Sequence, residues 1–121
     1  DQILKNVGVA YIDLNGLKAI NDNYGHSNGD KFICTAADTF KMVFPDNSYR
    51  IGGDEFVIIE QNIERDKYEE RITALKNMQD KQVSISIGVL WREYVDDLEE
   101  LLKAADKLMY MEKEMYHNNR E

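Results

Sequence analysis

Asp54 and Glu55 follow two glycines in the run Tyr49 to Ile59, YRIGGDEFVII, at the mouth of one of the most apolar segments of the chain. Adjacent carboxylates repel each other, and that repulsion is relieved when a cation joins them. A third carboxylate, Asp13, stands near the end of another apolar run, Val7 to Leu14, VGVAYIDL. Oxygen ligands of this kind suit Mg²⁺ or Mn²⁺, which takes one or two carboxylates and fills its shell with phosphate oxygens and water. Two such ions can hold both the attacking and the leaving oxygen of a phosphoryl displacement. In isolation, Asp-Glu after Gly-Gly is better read as a solvated acidic turn. It becomes a site if the fold brings Asp13 beside it.

The elements that would do so can be read from hydrophobic periodicity. Val7 to Leu14 is compatible with a buried strand ending at Asp13. Residues 15–30, NGLKAINDNYGHSNGD, are rich in Asn, Gly and Asp and read as a short helical turn followed by a loop. Phe32, Ile33, Ala36, Ala37, Phe40, Val43 and Phe44 recur at helical spacing, predicting an amphipathic helix that ends before Pro45, with Ser27, Asn28 or Asp30 as its cap. Tyr49 to Ile51 and Glu55 to Ile59 flank Gly52-Gly53, a hairpin pattern in which glycine supplies the positive φ of a two-residue turn.

Glu64 to Gln79 reads as a charged helix, and Val83, Ile85, Ile87 and Val89 alternate with Ser84, Ser86 and Gly88 as a strand. A last helix is expected to bury Leu98, Leu101, Leu102, Ala105, Leu108 and Met109, with Asp96, Asp97, Glu99 and Glu100 near its start, where the helix dipole favours them. The order β-α-β-β-α-β plus a C-terminal helix predicts an α+β fold with a ferredoxin-like core and an antiparallel sheet. Right-handed crossovers one strand apart then set the first strand beside the third, so Asp13 meets Asp54 and Glu55 at one edge of the sheet.

The totals narrow the function classes. The 121 residues support one domain, 1–121, with one core. The chain is 43% hydrophobic and 31% charged with a single proline, a globular composition. A net charge of −8 argues against broad binding to nucleic acid, which needs a basic face. It leaves nucleotides open, because a bound metal reverses the local field. The single cysteine, Cys34, lies in an apolar helical pattern and reads as a buried, inert thiol. No segment has the length of a membrane span, so no membrane contact by this domain is expected.

Gly52 to Phe56 is, letter for letter, the signature of the GGDEF domains, the diguanylate cyclases. DLNGLKAINDNYGHSNGD, Asp13 to Asp30, resembles the family's D-x-D-x-F-K-x-x-N-D-x-x-G-H-x-x-G-D block. VSISIGV, Val83 to Val89, resembles its later strand, and LLKAADKLMYMEK, Leu101 to Lys113, its last helix. The four blocks keep family order and span nearly the whole chain. The resemblance implies the nucleotidyl cyclase catalytic fold and a bacterial signalling reaction. Two GTP condense to cyclic di-GMP with release of pyrophosphate, in a homodimer whose two GTP sites face each other. It also implies two Mg²⁺ or Mn²⁺ per active site and a cytoplasmic location, any membrane anchor belonging to the rest of the parent protein.

Position by position, the resemblance makes Asp13 and the carbonyl of Leu14 metal ligands, Asp54 the second metal carboxylate, and Glu55 a metal ligand or proton acceptor. Either Asp54 or Glu55 would take the 3′-hydroxyl proton. Gly52 and Gly53 would admit the nucleotide close to the backbone, and Asn21 and Asp30 would read guanine. Lys18 and Lys113 would contact phosphate, with the N–H groups of Gly16 and Leu17 cradling the β- and γ-phosphates. The plain readings are Asx turns at Asn21 and Asp22, a loop anchor at His26, solvated lysines at 18 and 113, and a cap or pair at Asp106.

The sequence also departs from the pattern. The family's opening block, D-x-L-T-G-L-x-N-R, is absent, which reads as a fragment of a larger signalling protein with weak activity of its own. Asn15 stands where Asp is common, and Gly16-Leu17 where His-Phe is common. His117 replaces a phosphate-binding Arg and carries full charge only below a pKa of about 6.5. The product-inhibition motif R-x-x-D falls on Val43 to Asp46, so its Arg is missing. A degenerate domain that binds GTP or dimerises as a regulatory module is the alternative reading. A cyclase of the related adenylyl cyclase fold with another product is a third, against which Asp30 and the linear GGDEF motif count.

Overall fold

The computed structural model describes residues 3–78 and 84–118. The elements are β1 (Leu4–Leu14), α1 (Leu17–Tyr24), α2 (His26–Val43), β2 (Ser48–Arg50), β3 (Glu55–Glu60), α3 (Arg65–Asn77), β4 (Ile85–Val95) and α4 (Leu98–Asn118). The strands form one antiparallel sheet in the order β2-β3-β1-β4, the α+β arrangement expected. β1 sits between β3 and β4, and Asp13 lies directly opposite Glu55 on one side and Ser86 on the other.

Alternation along β1 divides the core into two layers. Ala10, Ile12 and Leu14 face Phe32, Ala36 and Phe40 of α2 and Tyr68, Ile72 and Leu75 of α3. Phe40 meets Phe56 edge-on, with ring centroids 5.0 Å apart, which ties α2 to β3. Val7 and Val9 face the opposite side, where Leu101 and Ala105 of α4 cover them. Asp13 shares that second face by parity, so the end of β1 carries its carboxylate toward α4.

Several expectations need correction. Residues 17–24 form a full helix, not a turn and loop, and α2 starts at His26 behind Gly25 without a side-chain cap from Ser27, Asn28 or Asp30. Gly52 and Gly53 do not have positive φ. Ile51 N–H bonds to the Glu55 carbonyl at 3.0 Å across a three-residue loop, and the Arg50 guanidinium donates to the carbonyls of Gly52 and Gly53 at 3.0 and 2.9 Å. A longer loop closed by a side chain does not require a primed turn.

Cys34 is exposed, because the buried stripe of α2 runs through Phe32, Ala36 and Phe40. Leu108 is 40% exposed, since the buried stripe of α4 runs through Leu101, Ala105 and Met109. β1 and β4 are both longer than the apolar runs suggested, pairing from Leu4–Val95 to Leu14–Ile85. Gln79 and Val83 lie outside the described residues. Among the described residues, no helix is long and apolar enough to cross a membrane.

Candidate active site

The site is assembled where β1 ends. The Leu14 N–H donates to the Asp54 carbonyl at 2.8 Å, which locks the tip of the β2–β3 hairpin to the end of β1. From the other side, Lys113 of α4 places its ammonium 2.9 Å from Asp13 Oδ2 and 3.4 Å from the Leu14 carbonyl. Lys113 is therefore not a free surface lysine. Its side chain is 22% exposed and that of Asp13 is 10% exposed. The second oxygen, Asp13 Oδ1, is buried without a hydrogen-bond partner.

Burial pushes the Asp13 carboxyl up, to about 6, with Lys113 pulling it down and Asp54 adding to the rise. A buried acid with a spare oxygen, next to a main-chain carbonyl and a second carboxylate, is a donor set for a hard divalent cation. Asp13, the Leu14 carbonyl and Asp54 are the groups that would hold such a cation, and the first two already share the Lys113 ammonium. These oxygens fit the ion. Among the described residues no three His, Cys, Asp or Glu side chains gather closely enough to hold a metal unaided. A Mg²⁺ ion that keeps several ligands from phosphate and water does not need them to.

Beside this cluster lies a cavity of about 400 Å³, lined by Leu14, Gly16, Leu17, Lys18, Ala19, Asp22, Asp54, Lys113 and His117. Gly16 caps α1 in the left-handed region, φ 84°, without a side-chain bond to the first turn. The leading N–H groups of α1 thus stay available to an anion, reinforced by Lys18 and Lys113. Asp13, Leu14, Gly16, Leu17, Lys18, Asp54 and Lys113 lie together around the end of β1, with His117 beside them.

The remaining candidates sit around this centre. The Glu55 carboxylate lies 3.5 Å from the Tyr11 hydroxyl and does not line the cavity. Burial and the Glu55 carboxylate push the Tyr11 hydroxyl pKa up. Gly52 and Gly53 form the hairpin tip outside the cavity. Asn21 lies against Gly29, where a Cβ would collide with its amide, and its Oδ1 is buried without a partner. That contact places Asn21 beside the residue preceding Asp30. Asp30 itself lines a separate open groove along α2 with Ser27, Lys31, Cys34, Thr35 and Asp38.

Three contributors were missed. Arg50 clamps the glycine loop, and its position two residues before Gly52 was the available signal. Asp22 lines the cavity although it read as a turn residue. Asn15 is 5% exposed and bonds to Ser84 and to the fully buried Ser86. Small residues at alternate strand positions, Ser86 and Gly88, were the sign that a close neighbour covers that face.

The sequence matches the diguanylate cyclase GGDEF domain family across residues 2–119. Over 90% of its length it is similar, at 37% identity, to the signaling protein YkoW of Bacillus subtilis, of which it covers 15%. Over 87% of its length it is 30% identical to the diguanylate cyclase DgcP of Escherichia coli, of which it covers 35%. The chain thus spans well under half of these relatives. The fold resembles the active GGEEF domain of a diguanylate cyclase from Vibrio cholerae, with a TM-score of 0.74 and 24% identity over 88% of this chain and 76% of that one. With the motif residues gathered around the end of β1, the chain belongs to the diguanylate cyclase GGDEF domain family.

Proposed function

We propose that this chain is a catalytic domain that condenses two GTP molecules into cyclic di-GMP in bacterial second-messenger signalling. The observation that carries this reading is the convergence of Asp13 Oδ2 and the Leu14 carbonyl on one cation, the Lys113 ammonium, at the wall of the 400 Å³ cavity. Asp13, the Leu14 carbonyl and Asp54, with Glu55 adjacent, would hold Mg²⁺ or Mn²⁺, two ions per site. The bound metal supplies charge neutralisation for the phosphates and activation of the attacking oxygen.

The chain's own residues bind and orient. The α1 N-terminus and Lys18 take the β- and γ-phosphates, Lys113 moves from Asp13 to phosphate, and Asn21 and Asp30 read guanine, the Asp30 carboxylate accepting from its N1–H and amino group. Each 3′-oxygen forms a bond to the α-phosphorus of the partner's GTP. The bond from that phosphorus to the bridging oxygen breaks, and pyrophosphate leaves. Asp54 or Glu55 takes the hydroxyl proton. Each domain supplies one GTP, so catalysis needs two copies face to face, in the cytoplasm where GTP is made.

A second reading is a regulatory domain that binds GTP without turnover. It is favoured by His117 in the cavity wall, where the family pattern has a phosphate-binding Arg. Incubation with GTP and Mg²⁺ separates the two. Mass detection of cyclic di-GMP supports the enzyme, whereas saturable GTP binding with no product at any protein concentration supports the module.

A further inference from the structure

We propose that Asn15 is a positioning residue for the triphosphate, acting through Ser84 and Ser86. The inference rests on the reading of the cavity as a phosphate site. Asn15 is the single residue between Leu14 and Ala19 that does not line the cavity. Its side chain turns away and is 95% or so removed from solvent, at 5% exposure. Three hydrogen bonds fix it to β4 and to Ser84 just before that strand. Its backbone N–H donates to the Ser84 carbonyl at 2.9 Å, its amide nitrogen donates to Ser84 Oγ at 3.1 Å, and Ser86 Oγ donates to its Oδ1 at 2.9 Å. Ser86 is fully buried, so this bridge is not exchanged with water.

The residues on either side of Asn15 are the ones the cavity uses. Leu14 accepts the Lys113 ammonium and donates to the Asp54 carbonyl. Gly16 holds the left-handed cap of α1, and its carbonyl accepts the Ile20 N–H at 3.0 Å. Asn15 is thus the peg that sets the Leu14 carbonyl and the first N–H groups of α1 at a fixed spacing. Pre-set donors bind an anion without first being ordered, which is where such a peg acts on affinity.

The bridge also selects an amide. Asn15 gives a proton to one serine and takes one from the other, which a single neutral side chain can do. Aspartate at this position would require both serines to donate. It would also add a buried negative charge two residues from the Asp13 carboxylate.

The probe is inorganic pyrophosphate with Mg²⁺, its affinity measured by calorimetry on the whole chain, well below each variant's unfolding temperature. Asn15→Ala should weaken pyrophosphate by about tenfold and Ser86→Ala by about threefold, while the double variant loses no more than Asn15→Ala alone. A merely structural role would lower the unfolding temperature of these variants and leave pyrophosphate affinity unchanged, or give losses that simply add. Either outcome overturns the proposal and leaves the phosphate reading standing. If Asn15→Ala does not fold, the mild Ser86→Ala variant decides alone, and unchanged affinity there sinks the idea. Absence of pyrophosphate binding in the wild-type chain would overturn the phosphate reading as well.

Discussion

Asp13 is held where a carboxylate is expensive to ionise, and its partner Lys113 offsets part of that cost. Its carboxyl is raised from an ordinary 3.8 to about 6, so between those values the folded chain binds more protons than the unfolded one. Without metal, its contribution to stability therefore falls as pH rises through that window and stays lost above it. Asp13→Asn has no such titration. In denaturant unfolding at pH 4 and pH 7, wild type should lose on the order of 1–3 kcal/mol relative to the variant on going to pH 7. A constant difference would mean that Asp13 is not held protonated. Added Mg²⁺ should raise the unfolding temperature of wild type and leave that of Asp13→Asn unchanged, by mass action on the folded state. Asp13→Asn and Asp54→Asn should both abolish product formation while remaining folded, and wild-type turnover in either would remove it from the metal site. At the base, Asp30→Ser should narrow the preference for GTP over ATP, because a carboxylate matches both guanine donors and adenine offers no such pair. An unchanged GTP/ATP affinity ratio in competition binding would take Asp30 out of the base pocket.

α4 reaches the site because β4 lets it approach. A Cβ at Gly88 would run into the Ala105 carbonyl and the Met109 nitrogen, so the helix backbone rests directly on the strand. Lys113 lies one helical turn beyond Met109, and its position follows from that contact. Gly88→Ala should destabilise the fold by about 1–3 kcal/mol through overpacking, read from the denaturation midpoint. It should also weaken pyrophosphate binding by displacing Lys113. An unaltered midpoint would contradict the close packing. Element order and strand adjacency were legible in the sequence because apolar periodicity and crossover handedness depend on many residues at once. That was enough to bring Asp13 to Glu55 and Asp54. The exposed Cys34 and Leu108 were misplaced because a helical stripe is wide and its rim residues fall on either side. The hairpin geometry was missed because Arg50, a side chain, closes a loop that the glycines alone would have closed differently. The Lys113–Asp13 pair joins residues a hundred positions apart, and the family resemblance offered only a phosphate role for that lysine. The Asn15 bridge depends on which way one amide turns, which no local pattern encodes.

At the scale of the whole molecule, the proposed reaction needs two chains, and each carries a net charge of −8. Like charge opposes their pairing and is screened by salt, so pairing of the isolated chains should be weak and favoured by higher ionic strength. Control through product should also be reduced. Val43 and Asp46 occupy the positions of an R-x-x-D motif, and loss of a bidentate arginine contact typically costs a few kcal/mol, roughly a hundredfold in affinity. Cyclic di-GMP should bind poorly outside the active site. Micromolar binding by calorimetry that survives Asp54→Asn but not Asp46→Ala would contradict this. The most direct test of the central claim is the initial rate of cyclic di-GMP formation from GTP and Mg²⁺ across a series of protein concentrations. Two chains acting face to face predict product whose rate rises more steeply than linearly, approaching the square of concentration while the chain is mostly monomeric. A rate strictly proportional to concentration, or no cyclic di-GMP at any concentration, would contradict it.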